Sequence, residues 1–251
     1  LSNVDNIVTV SNNLVYDFRS TYGIQIEGCD GLVQKYWEFK NNTVYANNIN
    51  NQYAVHISSS NYIDIRNNII ENIGQNSNQY GLYINNSIYY TRNNFFAAGY
   101  SSGNATTGMN IGFNDRKRDS DDAPPGFANP VGGDFHLKST CGRWYPLRED
   151  WYFDYTEVSS CIDSGYAADT IGRETEPHGG LINLGAYGGT EFASRNPSCS
   201  GIVQNDAGTG DDAANSLLDS NVPLLAEYEE YSANIWSSSD IADWYVVNLV
   251  S

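Results

Sequence analysis

Asn67-Asn68-Ile69-Ile70 and Asn93-Asn94-Phe95-Phe96 stand 26 residues apart, and similar Asn pairs lead into Asn41-Asn42-Thr43-Val44 and Asn12-Asn13-Leu14. Read from the first pair onward, the intervals are 29, 26 and 26 residues. A second element keeps the same rhythm in Tyr22-Gly-Ile-Gln-Ile26, Tyr53-Ala-Val-His-Ile57, Tyr80-Gly-Leu-Tyr-Ile84 and Thr107-Gly-Met-Asn-Ile111. A third precedes each Asn pair, at Ile7 to Val10, Trp37 to Phe39, Ile63 to Ile65 and Tyr89 to Thr91. Three short strands per period, without helical periodicity, make each period one coil of a right-handed parallel β-helix. Like positions then stack about 4.8 Å apart.

The expected fold is all-β, with about four coils at 4–30, 31–60, 61–87 and 88–114. Alternation places Ile24/Ile26, Val55/Ile57, Leu82/Ile84 and Met109/Ile111 inside. It places Gln25, His56, Tyr83 and Asn110 outside in one row. Each stacked Asn can hydrogen-bond to those above and below, so the pairs read as a structural ladder. The charged, turn-rich run Asp115 to Asp122, followed by Pro124-Pro125-Gly126, ends the column at Phe113. Residues 115–195 lose the period and are expected to complete and cap the helix, because an uncapped end exposes unpaired backbone. Residues 196–212 read as a linker and 213–251 as a small β-sandwich-like module.

Composition narrows the partners. Thirteen Lys and Arg against thirty Asp and Glu give a net charge of −17 over 251 residues. That field opposes sequence-independent nucleic-acid binding and docking on an anionic membrane. No apolar run is long enough to span a bilayer. The chain opens without a basic segment leading into an apolar stretch, so an export signal would lie upstream of Leu1. Four cysteines suit an oxidising compartment. The 19 residues between Cys141 and Cys161 are rich in Trp and Tyr, and a Cys141–Cys161 bridge is the expected pairing. Sequons occur at Asn41, Asn85 and Asn104. Asn104 and Asn85 are the expected acceptors, whereas a glycan on Asn41 would collide with the ladder.

Two stretches carry a resemblance. Asp134-Phe-His-Leu-Lys-Ser, Gly142-Arg-Trp, Ser160-Cys-Ile-Asp-Ser-Gly165 and Glu176-Pro-His-Gly-Gly-Leu-Ile-Asn-Leu-Gly-Ala-Tyr-Gly-Gly-Thr190 resemble, in order, the end of secreted bacterial β-helix proteins of the pectate-lyase-like superfamily. With the repeats, the likeness spans about residues 1–195. It implies a β-helix in an extracellular or cell-surface setting. Active enzymes of that superfamily cleave acidic polysaccharides, with Lys or Arg removing a proton beside a uronate carboxylate and calcium often neutralising it. The tail, from Asn205-Asp-Ala-Gly-Thr-Gly-Asp-Asp212 to Asp240-Ile-Ala-Asp-Trp-Tyr-Val-Val247, resembles the start of a bacterial pre-peptidase C-terminal domain.

The chemistry open to the chain is limited. Ser11, Lys40, Arg66 and Arg92 form one outward row, with Thr9, Glu38, Asp64 and Tyr90 two residues earlier. A lyase needs such cations to stabilise a carbanion-like intermediate, but cross-strand ion pairing accounts for the row equally well. His56, Tyr83 and Asn110 could form a sugar-binding strip. Asp115, Asp119, Asp121 and Asp122, or Asp206, Asp211 and Asp212, could take calcium, without full EF-hand spacing. No cofactor is required. The leading expectation is a non-catalytic structural module, a stiff spacer whose partners are copies of itself or other surface proteins. The alternatives are a secreted uronate polysaccharide lyase and a carbohydrate-binding module.

Overall fold

The computed structural model describes residues 8–32, 35–48, 50–74, 77–98, 106–107, 112–117, 124–154 and 157–198, with the strand pairs 224–225 and 246–247. Three rows of parallel strands wind into a solenoid. The first sheet stacks β1 (Thr9–Ser11), β4 (Trp37–Lys40), β7 (Asn61–Arg66) and β10 (Ile88–Arg92). The second stacks β2 (Leu14–Tyr16), β5 (Thr43–Ala46), β8 (Ile69–Asn72), β11 (Phe95–Ala98) and β13 (Arg116–Lys117). The third stacks β3 (Tyr22–Glu27), β6 (Tyr53–Ser58), β9 (Tyr80–Asn85) and β12 (Thr106–Thr107). The result is about three full turns and the opening strands of a fourth. Among the described residues the only helix is one 3-10 turn, Pro130–Gly132.

Of the expected interior, Ile26, Val55, Ile57, Leu82 and Ile84 are buried and Ile24 partly so, in one cluster with Phe39, Val44, Ile63, Ile65, Ile70 and Phe96. Register follows the period, with Glu38 beside Asp64, Lys40 beside Arg66 and His56 beside Tyr83. The last rung of the third sheet departs from it. Thr107, rather than Asn110, pairs with Tyr83. Met109, Asn110 and Ile111 lie outside the described residues.

The two residues of each Asn pair do different work. The first adopts a left-handed backbone, with φ of 55° at Asn12, 50° at Asn41, 57° at Asn67 and 51° at Asn93. Asn tolerates that conformation better than most side chains, so it makes the turn between the first and second sheets. The second Asn builds the ladder. Nδ2 of Asn13, Asn42 and Asn68 donates to Oδ1 of the next Asn at 2.8, 3.0 and 2.9 Å. Asn94 donates in the same way to Asp115 at 2.8 Å. Each Oδ1 also accepts the backbone N–H of the Asn before it, as Asn68 does from Asn42 at 2.9 Å. Asp115 can accept but cannot pass a proton on, so the amide chain ends there. Arg116–Lys117 still adds a rung to the second sheet, and the column therefore runs past Phe113.

Residues 124–198 lie along the side of the column. The second sheet has both faces buried, and its outward Tyr45, Ile69, Phe95 and Ala97 pack against Phe127, Phe135, Leu137, Cys161, Ile162 and Leu184. The adjacent apolar pairs Ile69-Ile70 and Phe95-Phe96 follow from this, one residue facing each core. The flank carries two antiparallel pairs, β14 (Phe127–Asn129) with β15 (Asp134–Leu137) and β16 (Arg143–Tyr145) with β17 (Asp150–Tyr152). The expected sandwich at 213–251 lies outside the described residues, apart from a parallel pair of β18 (Leu224–Leu225) and β19 (Val246–Val247).

The first Asn of each pair stitches this flank down. Asn12 donates to the carbonyls of Ala186 and Gly188 at 2.9 and 2.8 Å, and Asn41 to that of Asn183 at 3.0 Å. Asn67 donates to Asp169 and accepts from the Tyr166 amide, each at 2.7 Å, while Asn93 donates to the Ser164 carbonyl at 3.0 Å. The string Ile182-Asn-Leu-Gly-Ala-Tyr-Gly-Gly189 is thus a strap on the turn column. A Cβ at Gly185 (φ 84°) would stand 2.6 Å from Thr43 Oγ1, and only glycine fits so close an approach.

The cysteines pair differently from the expectation. Cys161 is a free thiol buried in the second core, so the Cys141–Cys161 bridge is absent, and Cys29 is also free. Cys161 packs among Phe127, Phe135, Ile162 and Leu184 in that core. Cys141 is disulfide-bonded, and Cys199 lies outside the described residues. Non-reducing peptide mapping is expected to return Cys141 in a disulfide that Cys161→Ala leaves unchanged. Recovery of a Cys141–Cys161 peptide would contradict this.

Candidate functional site

The first sheet brings the expected basic row together. Lys40 Nζ lies 2.8 Å from Glu38, which also accepts from Arg66 at 2.6 Å. Arg66 reaches Asp64 at 2.8 Å, and Arg92 reaches the same carboxylate at 2.7 Å. The flank supplies a sixth charge: Asp169 accepts from Arg66 Nε at 2.8 Å and Nη2 at 3.1 Å. Arg92 also lies 4.4 Å from the Tyr166 ring. Three cations face three carboxylates here. Burial alone would raise the Glu38 carboxyl, but the bonds from Lys40 and Arg66 hold it below the usual range. Burial would likewise lower Arg66, yet Asp169 and Glu38 raise it instead. Each cation in the row has a carboxylate partner.

The third sheet carries an aromatic face larger than the sequence row suggested. Beside His56 and Tyr83, the Tyr that opens each strand stacks along the axis. Tyr22 and Tyr53 lie 5.4 Å apart at 9°, and Tyr53 and Tyr80 lie 5.3 Å apart at 15°. His56 sits 5.0 Å from Tyr53 and 5.5 Å from Tyr83. Loss of solvation pushes its imidazole below the ordinary histidine value. The signal for this ladder was the recurrence of Tyr at the head of the first three repeats. Stacking turns ring faces toward one another and leaves edges outward, whereas a bound sugar needs an open ring face.

The other candidates are dispersed. Asp115 is occupied by the Asn94 amide and the Gly112 N–H. Asp119, Asp121, Asp122, Asp206, Asp211, Asp212 and Asn104 lie outside the described residues. Among the described residues no cluster of three His, Cys, Asp or Glu could hold a metal ion. Asn85 is exposed at the end of β9, whereas Asn41 is buried under the strap.

One buried acid went unread in the sequence. Glu174 Oε1 accepts the amides of Asn183 and Gly189, each at 2.8 Å, and so ties the strap into a closed loop. Burial, with Asp163 nearby, pushes its carboxyl up to about 7. The folded state then binds the proton more tightly than the unfolded chain. Its contribution is complete below the unfolded value near 4.5 and is lost as pH rises through about 7. The Glu174→Gln variant keeps both accepted bonds without the charge. It is expected to exceed the parent in stability at pH 8 by up to about 3 kcal/mol and to match it near pH 4. Equal denaturant midpoints at both pH values would contradict this.

Compared with protein-family models, curated proteins and solved structures, the chain matches none.

Proposed function

We propose that the chain is a non-catalytic module of an extracellular or cell-surface protein, in which the solenoid serves as a stiff spacer. The observation that carries this reading is the use made of the outward side chains. On the first sheet they close an ion chain, on the third a ring stack, and on the second they are covered. Side chains committed to their axial neighbours resist bending and leave little chemistry exposed. A disulfide at Cys141 supports an oxidising setting. The solenoid and its ordered motifs support a right-handed column akin to those of the pectate-lyase-like superfamily. Partners on this reading are surface proteins or further copies. Copies would join coil to coil through the outermost strands of the described residues, such as β1, β2 and β3. Neither calcium nor another cofactor is needed.

A lyase remains the competing class, and a direct assay separates the two. Incubation with uronate polysaccharides, with and without calcium, is expected to give no unsaturated product at 235 nm. Product that disappears in Lys40→Ala or Arg92→Ala would replace the spacer with an enzyme. Electron microscopy of the same preparation reports on stacking, with end-to-end filaments expected.

A further inference from the structure

The hairpin of β16 and β17 pairs Arg143 with Tyr152, Trp144 with Trp151 and Tyr145 with Asp150. Alternation sends the two Trp to one face, where Trp144 lies 5.9 Å from Trp151 and 5.3 Å from Phe192. Arg143, Tyr145 and Tyr152 share the other face. There they line, with Asn129, Asp134 and Arg148, a cavity of about 470 Å³. That size lies within the range of small-molecule sites.

The polar groups of this cavity are unevenly satisfied. Arg143, with a side chain 10% exposed, donates from Nη1 to Asp134 at 2.9 Å and from Nε to Asp154 Oδ1 at 3.3 Å. The other Asp134 oxygen is held by His136 Nδ1 at 2.7 Å. Nη2 of Arg143 has no hydrogen-bond partner among the described residues. Its guanidinium stands 4.6 Å from the Tyr152 ring. Arg148 lies 5.9 Å from the Tyr145 ring and has no carboxylate partner among the described residues. Both oxygens of Asp134 are thus committed, while donors on two guanidinium groups have no partner among the described residues. Asp134 and Asp154 offset the charge of Arg143, so the charge without a carboxylate partner is that of Arg148, and together with the open Nη2 of Arg143 it favours an anion. Paired guanidinium donors match the two oxygens of a carboxylate, and two Tyr rings match a flat or ring-shaped body.

We propose that this cavity binds a small ring-bearing carboxylate, its oxygens on Arg143 Nη2 and Arg148 and its ring against Tyr145 and Tyr152. This site is independent of the spacer reading. The test is titration of the whole chain with benzoate, benzyl alcohol and benzylamine, followed by calorimetry and by tryptophan fluorescence. Trp144 and Trp151 sit on the same hairpin and report its surroundings. Benzoate is expected to bind saturably, about tenfold more tightly than benzyl alcohol, with benzylamine silent. Arg148→Gln, a surface change, is expected to weaken benzoate about tenfold with an unaltered melting temperature. Equal affinity for benzoate and benzyl alcohol, unaltered benzoate binding in Arg148→Gln, or no saturable benzoate binding would each overturn the proposal.

Discussion

Replacing Asn68 by Ala is expected to cost about 4 kcal/mol, a large part of the stability of an ordinary domain. Its fully buried amide donates to the Phe39 and Arg66 carbonyls at 2.8 and 2.9 Å and to Asn94 at 2.9 Å. Its oxygen accepts from the backbone and side chain of Asn42 at 2.9 and 3.0 Å. Alanine fills part of the volume but takes the acceptor from the buried Asn42 backbone N–H and a donor from the Phe39 and Arg66 carbonyls. The Asn42 side chain keeps the Val10 and Lys40 carbonyls, and the Arg66 carbonyl keeps the Asn41 N–H. Buried groups left without a partner carry their full desolvation cost. Asn68→Asp restores the acceptor alone and adds a charge to the ladder, so it should recover little. Asn13→Ala, at the more open end, is expected to cost about 1 kcal/mol. Chemical denaturation of the three variants checks the order. A loss at Asn68 no larger than at Asn13 would mean that the ladder is ornamental.

Arg66→Met is the second large effect, expected at about 3 kcal/mol. The guanidinium touches Glu38, Asp64 and Asp169, and its side chain is only 6% exposed. Methionine keeps most of the volume and removes the charge. Glu38 still has Lys40 and Asp64 still has Arg92, so the main casualty is Asp169, left with only the Asn67 amide among these partners. A double-mutant cycle isolates that contact. Arg66→Met with Asp169→Asn should recover about half of the loss, since a neutral amide tolerates the site without a cation. Strictly additive losses in the double variant would contradict the pairing. Melting of the flank before the column in Arg66→Met would locate the damage where the geometry puts it.

The column was legible because a β-solenoid repeats its physics once per turn. Each coil needs a left-handed residue at the same corner and an amide that both donates and accepts beside it, and paired Asn meets both needs. The same argument recovered the Glu38/Asp64 and Lys40/Arg66 rows in register. It failed where the repeat is substituted or shortened. Asp115 ends the ladder, but an Asp in place of Asn, only 21 residues after Asn94, hid the match. The register of Thr107 was missed because it follows Tyr83 by 24 residues, where the row read from the sequence took a step of 27 to Asn110. The lateral position of the flank had a local signal in Ile69-Ile70 and Phe95-Phe96, since neighbours that are both apolar need cover on both faces of a strand. Contacts such as Arg66 to Asp169, 103 residues apart, leave no periodic trace. The strap motif likewise fixed attention on its sequence without revealing that Asn12 and Asn41 hold it.

Column and flank are held here as one cooperative body, joined by a second core, four Asn side chains and a buried ion pair. Native-state hydrogen exchange by mass spectrometry, with increasing denaturant, tests this most directly. Amides of β5, β8 and β11 and those of the strap Leu184, Gly185 and Gly188, bonded to Cys161, Asn67 and Gly185 carbonyls, are expected to lose protection together at one opening free energy. A strap that exchanges several kcal/mol below the column, as about 2 kcal/mol or more would already indicate, would mean that the flank opens alone. The column would then bare its Asn corner to a partner, and the rigid-body account would fall.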